Sequence, residues 1–421
     1  MDLLKGFSRR FFRSRLVISS FIMITVAVVA GVGNYFYHFL MGRMLGPADY
    51  GILVSLISLS YLLGIPVGTL SLVIIKFVSA LKGKEQIGAI RVLFKNLNKK
   101  LLPFSLLILL IFLFLSPLVA SFLHLPSSLP FIIVLAAFFI SIFSVVNSAT
   151  LQGFLRFGSL AVSTILGTFV KLTVAVILVV WGLKVYGALF GLLIGGIFGY
   201  LFTLFLLRFL FQAKPQKLEL HSREMFNFGL PAFFSILAFT SLYTSDVILV
   251  RHFFSGQQSG FYGALSTLGK VIFFAASPVV SVAFPMISER HANGGKYKNL
   301  LWVSLGLVGI ICLSATGVYF LFPALIIKLL FGRTYLPVAF LLGYFGIFLS
   351  LYSLSFLLVN FCLSVKKTKI VFLPVMAAVF QIILIWFFHQ NFQQVIWISI
   401  TIMALLLVSL TGFLLKYRTK I

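Results

Sequence analysis

Apolar runs long enough to cross about 30 Å of hydrocarbon follow one another along almost the whole chain. Twelve can be counted, at residues 16–40, 51–75, 101–123, 130–154, 160–181, 186–207, 228–250, 261–287, 300–321, 338–363, 370–388 and 395–415. With 61% hydrophobic and only 10% charged residues, the sequence could not cover a water-soluble surface. Backbone groups in lipid must be satisfied internally, so the runs are helices or the strands of a closed barrel. A barrel needs alternating segments of about ten residues, which are absent. The fold class is therefore an all-α polytopic membrane protein with about twelve transmembrane helices. The first run is too long for the apolar core of a signal peptide and reads as an uncleaved span.

Charge sets the orientation. Of 33 Lys and Arg residues, 26 fall in the loops and termini on one side, five on the other (Arg43, Lys184, Arg251, Lys328, Arg333), and two, Lys171 and Lys270, inside runs. This bias over short loops places both termini in the cytoplasm of a multi-pass protein of the plasma or inner membrane. In a soluble protein a net charge of +26 would suggest nucleic acid. Here the basic residues decorate one membrane face, and no nucleic-acid partner is expected. The stretch 86–101 carries Ile87, Ile90, Phe94, Leu97 and Leu101 on one helical face, with Arg91, Lys95, Lys99 and Lys100 opposite. It reads as an amphipathic helix lying on the anionic inner leaflet, alongside membrane lipids.

The chain also repeats itself. The turn region LGPADYGILVSLISL has an echo in SGQQSGFYGALSTL: Gly51 falls on Gly260, Leu56 on Leu265 and Leu59 on Leu268, each 209 residues apart. Ser79 falls on Ser288 at the same offset, and Ser71 on Ser281 and Arg156 on Lys366 at 210. Half the chain length is thus a repeat of six spans. The expected organisation is an N-terminal lobe, 1–211, a cytoplasmic linker, 212–227, and a C-terminal lobe, 228–421. An even number of spans inserts both copies the same way, with a pseudo-twofold axis along the membrane normal.

Catalytic chemistry finds no residues to act on. The seven acids are Asp2, Asp49, Glu85, Glu219, Glu224, Asp246 and Glu289, with no pair placed for acid/base work. The six histidines do not cluster at metal-ligand spacing, and no phosphate-binding Gly-Lys-Ser/Thr loop occurs. Cys312 and Cys362 both lie in apolar runs and define no disulfide framework. The chain is not expected to be an enzyme, and no cofactor or metal is expected.

Ionisable groups inside lipid-length helices remain. Lys171 and Lys270 lie roughly 13–15 Å below the outer ends of their helices, too deep to snorkel. Each is either satisfied by hydroxyls and carbonyls in a packed interface or lines a water-filled cavity. Asp246, about a turn from the outer end of its run, is either an interfacial acid paired with a base or an ion-coupling acid. Arg43 and Arg251 flank the two repeated turns, as interfacial anchors or as part of a substrate cavity.

The two turn regions, with SDVILVRHFF, PMISE and IIKLLFGRTYLPVAFLLG, resemble the polysaccharide-exporter branch of the multidrug/oligosaccharidyl-lipid/polysaccharide exporter superfamily. The resemblance implies two six-helix lobes around a central cavity. It implies flipping of a polyprenyl-diphosphate-linked oligosaccharide from the inner to the outer leaflet by alternating access. Other polysaccharide assembly proteins would be the remaining partners. A substrate cavity of Lys171, Lys270, Arg43 and Arg251 is expected, with Asp246 coupling transport to H+ or Na+. The rival is a cation-coupled drug antiporter of the same superfamily, which would favour acids in the cavity.

Overall fold

The computed structural model describes residues 15–217, 222–292, 298–365 and 367–416. The basic N-terminal residues Lys5, Arg9, Arg10 and Arg13, linker residues 218–221, Lys296, Lys366 and the tail carrying Arg418 and Lys420 lie outside them. Among the described residues the regular structure is entirely helical.

Glycines decide where long apolar helices turn back. Helix α1 (Arg15–Leu63) breaks at Gly46, whose φ of 74° favours glycine, and Pro47 starts the next arm. The arm returns beside the first: the Tyr50 hydroxyl lies 3.2 Å from His38 Nδ1. α2 (Ile65–Gly83) continues this arm past Gly64. α3 (Ile87–Phe114), the short α4 (Ser116–Phe122) and α5 (Leu129–Gly153) follow. α6 (Phe157–Leu178) and α7 (Lys184–Leu206) turn at Gly182 (φ 89°) and Lys184 (φ 45°). They pack antiparallel and close, since a Cβ added at Gly187, Gly191 or Gly195 would strike Leu178, Ala175 or Lys171 in turn.

The remaining elements are α8 (Ser222–Leu242), α9 (Ser245–Phe253), α10 (Gly256–Ala292), α11 (Lys298–Leu321), the short α12 (Pro323–Leu330), α13 (Leu342–Ser364), α14 (Phe372–Phe387) and α15 (Phe392–Lys416). Among the described residues, ten helices are long and apolar enough to cross a membrane, and α8 and α9, bent by 42° at their break, add an eleventh. The segment Phe157–Leu206 is one of these yet holds two antiparallel spans, which brings the total to twelve. The chain is a multi-pass membrane protein.

Two compact units form. Of the described residues, one contains those within 15–37, 66–120 and 126–229; the other contains those within 38–65, 121–125 and 230–416. In the first, the stripe read as a surface-lying amphipathic helix turns out to be the start of α3, continuous with the third span. Ile90, Leu93 and Phe94 are buried against α2 and α5 residues such as Phe77, Val78 and Leu151. A helical apolar stripe specifies burial but not what does the covering, and here the protein's own core covers it. Gly88 packs so tightly on the segment after α7 that an added Cβ would fall 2.0 Å from the Lys214 carbonyl oxygen.

In the second unit the repeated glycines meet. A Cβ on Gly51 would lie 2.8 Å from the Gly260 nitrogen, and one on Gly260 only 1.8 Å from the Pro47 oxygen. Both positions are glycine for one reason: backbone passes against backbone there.

Candidate functional site

Lys171 projects from the middle of α6. Its ammonium donates to the Asn34 side-chain oxygen and sits 4.7 Å from the centre of the Tyr37 ring. The Tyr37 hydroxyl in turn donates to the Ala188 carbonyl at 3.0 Å, which fixes the ring. Asn34 and Tyr37 lie one helical turn apart on α1, so one face presents both partners. Lys171 also lines a cleft of about 260 Å³ between α5, α6 and α7, together with Ser144, Ser148, Ser163 and Thr168 among others.

Lys270 projects from α10 and is buried, with its ammonium 5.2 Å from the Tyr243 ring centre and 6.0 Å from that of Tyr61. Its charge is coupled electrostatically to Asp246. Asp246 is fully buried in the first turn of α9, immediately after the 42° break. α9 continues to Phe253, so the acid lies about two turns from that end rather than one. Tyr262 donates its hydroxyl to Asp246 Oδ2 at 2.8 Å, while Oδ1 is buried without a hydrogen-bond partner.

The repeat offset links the two lysine sites. Advancing Asn34 and Tyr37 by 209 residues gives Tyr243 and Asp246. The same two positions of the first span in each copy therefore attend a lysine, carried by α6 in one and by α10 in the other. Asn34, Tyr37, Tyr61, Tyr243 and Tyr262 were not singled out from sequence. Applying the offset to the neighbours of Asp246 was the signal available for the first two.

The arginines are placed differently. Arg43 donates through Nε to the Leu330 carbonyl at 3.1 Å and through Nη2 to the carbonyls of Lys328 and Leu329. Arg251, buried, donates to the carbonyls of Leu123 and His124 at 2.8 Å and to Ser259 Oγ at 3.0 Å. Each arginine thus caps carbonyls at the end of a short helix, α12 or α4, that belongs to the other half of the sequence. The two arginines are 208 residues apart, as are Phe122 and Leu330, the last residues of those helices. Donors already engaged with backbone oxygens are poorly placed to take a substrate anion. No group of three or more His, Cys, Asp and Glu side chains that could hold a metal occurs among the described residues.

The fold is shared with membrane transporters. A multidrug resistance MATE family transporter of the MOP superfamily, in an inward-facing conformation, superposes with TM-score 0.72 over 95% of this chain and 98% of that one, at 15% identity. Lipid II flippase MurJ, in an inward closed conformation, gives 0.71 over 96% and 87%, at 14% identity. The eukaryotic MATE transporter AtDTX14 gives 0.68 over 94% and 93%, at 14% identity. No curated protein matches significantly in sequence. The family described as polysaccharide biosynthesis protein matches residues 40–340. With about twelve spans in the two-lobed fold of the multidrug/oligosaccharidyl-lipid/polysaccharide exporters, the chain belongs to this polysaccharide biosynthesis family.

Proposed function

We propose that the protein flips a polyprenyl-diphosphate-linked oligosaccharide from the cytoplasmic to the outer leaflet, and that Lys171 and Lys270 receive its diphosphate. The observation that carries this reading is the setting of Lys171. The residue stands mid-helix and lines a polar cleft, and its ammonium is held by an amide oxygen and an aromatic face rather than by an acid. A diphosphate leaving water loses its hydration, and ammonium donors would replace it. The lobes would alternate in opening to the two faces, with the sugar crossing through protein and the polyprenyl tail staying in lipid. Asp246 would couple the cycle to an ion, H+ or Na+. Both termini would be cytoplasmic, a placement that the charge bias supports. Arg43 and Arg251 would then act by holding α12 and α4 in place.

Complementation with quantified membrane levels tests the lysines. Lys171→Met and Lys270→Met should each cut export of the lipid-linked sugar at least about tenfold, the scale of one lost charge-assisted hydrogen bond. Lys→Arg should retain much of it. Normal export by the double Met variant would overturn the reading, since a merely packed lysine is replaced by Met without loss.

A further inference from the structure

The cleft beside Lys171 is unusual in its lining. All ten lining residues are Ser, Thr, Gly or Lys, in a chain that is 61% hydrophobic. An acyl chain would be met by apolar side chains, so the occupant is polar. Thr164 and Thr168 return their hydroxyl protons to carbonyls of their own helix, Leu160 and Thr164, both at 2.8 Å. Ser144, Ser148 and Ser163 make no such bond to any described residue, although Ser163 is buried. In an apolar setting a serine ordinarily bonds back to its own helix, and three hydroxyls that do not are free to serve a ligand.

The glycines of α7 give a second, independent indication. Gly191 and Gly195 are explained by packing, because a Cβ there would strike Ala175 or Lys171. At Gly196 and Gly199 an added Cβ would meet nothing within 4 Å. Helix packing does not require glycine at these two positions, and glycine inside a helix is a poor choice unless something else needs the space. Both border the cleft and keep it open.

The volume of about 260 Å³ lies below the ~300–1,000 Å³ of sites for drug-sized ligands. It suits a single sugar ring, not an oligosaccharide. We infer that this cleft is a subsite for the first sugar of the lipid-linked substrate: Lys171 takes the adjoining phosphate while Ser144, Ser148 and Ser163 bond the ring hydroxyls. The inference rests on the flippase reading and extends it from charge to carbohydrate.

The test is a binding comparison with the full chain in lipid nanodiscs. The probes are undecaprenyl diphosphate and undecaprenyl diphosphate carrying one N-acetylglucosamine. Wild type should bind the sugar-bearing lipid more tightly, on the order of tenfold for a small set of neutral hydrogen bonds. Gly196→Leu combined with Gly199→Leu fills the cleft. It should abolish that difference while the bare diphosphate lipid still binds. Gly158→Leu, which also enters open space but lies away from the cleft, should keep the difference and shows that such substitutions fold. If the filled variant retains the sugar-dependent gain, or wild type binds both lipids equally, the subsite is wrong and the flippase reading stands. If wild type binds neither lipid, the flippase reading fails and the subsite with it.

Discussion

Asp246 has one carboxylate oxygen bonded to Tyr262 and the other buried without a partner. A carboxyl group left half-satisfied in a packed interior is expensive to keep, and inside a membrane span such a group generally has a task. Lys270 on α10 bears on it electrostatically. Asp246→Asn preserves the size and the acceptor for Tyr262 but removes the charge. The variant should reach normal membrane levels yet lose the part of export that collapses with the ion gradient. Export that stays normal and still responds to dissipating the gradient would reduce Asp246 to a packing residue. The acid itself was legible in the sequence, being the one acid placed within an apolar run. Its environment was not. Tyr262 stands 16 residues away across a turn, and no spacing rule brings a hydroxyl back to that carboxylate. Arg251 shows the opposite limit. Its type and position at a turn suit a substrate cavity, and only the structure shows its donors occupied by backbone carbonyls.

Elements were more legible than side chains because lipid leaves so few choices. Run length alone located the spans, and Gly46–Pro47 and Gly182 mark the turns where helical hydrogen bonding hides a reversal of direction. The stripe at 86–101 is helical, as its spacing predicts, but spacing does not name its partner, since Ile90 and Phe94 look the same against lipid as against α2 and α5. Glycines divide in the same way. Gly260→Ala would drive a methyl to 1.8 Å from the Pro47 oxygen. That is a backbone clash costing about 1–3 kcal/mol or more, and it should lower the melting temperature in detergent. Gly196→Ala enters open space and should leave the melting temperature unchanged or raise it. Equal melting of the two variants would show that the close approach of Pro47 and Gly260 relaxes freely.

For the whole molecule, orientation is the property that the flippase reading most needs. Single cysteines at Ser127, Gln257 and Gln390 should react with an impermeant thiol reagent on intact cells. Those at Gln86, Gln216 and Lys367 should react only after permeabilisation. Labelling of Gln257 from the inside alone would invert the topology and undo the direction of transport. Orientation bears also on the contact between Gly51 and Gly260, equivalent positions of the repeat that touch each other. Within a twofold arrangement, a residue meets its own counterpart only at the axis. A chain of half this length, with six spans inserted in one sense, would present that glycine to itself in a second copy. The close approach now made inside one polypeptide thus has the form of an old subunit interface. Ancestry as a parallel homodimer would leave such a trace, with the glycine fixed in both halves before fusion made them free to diverge.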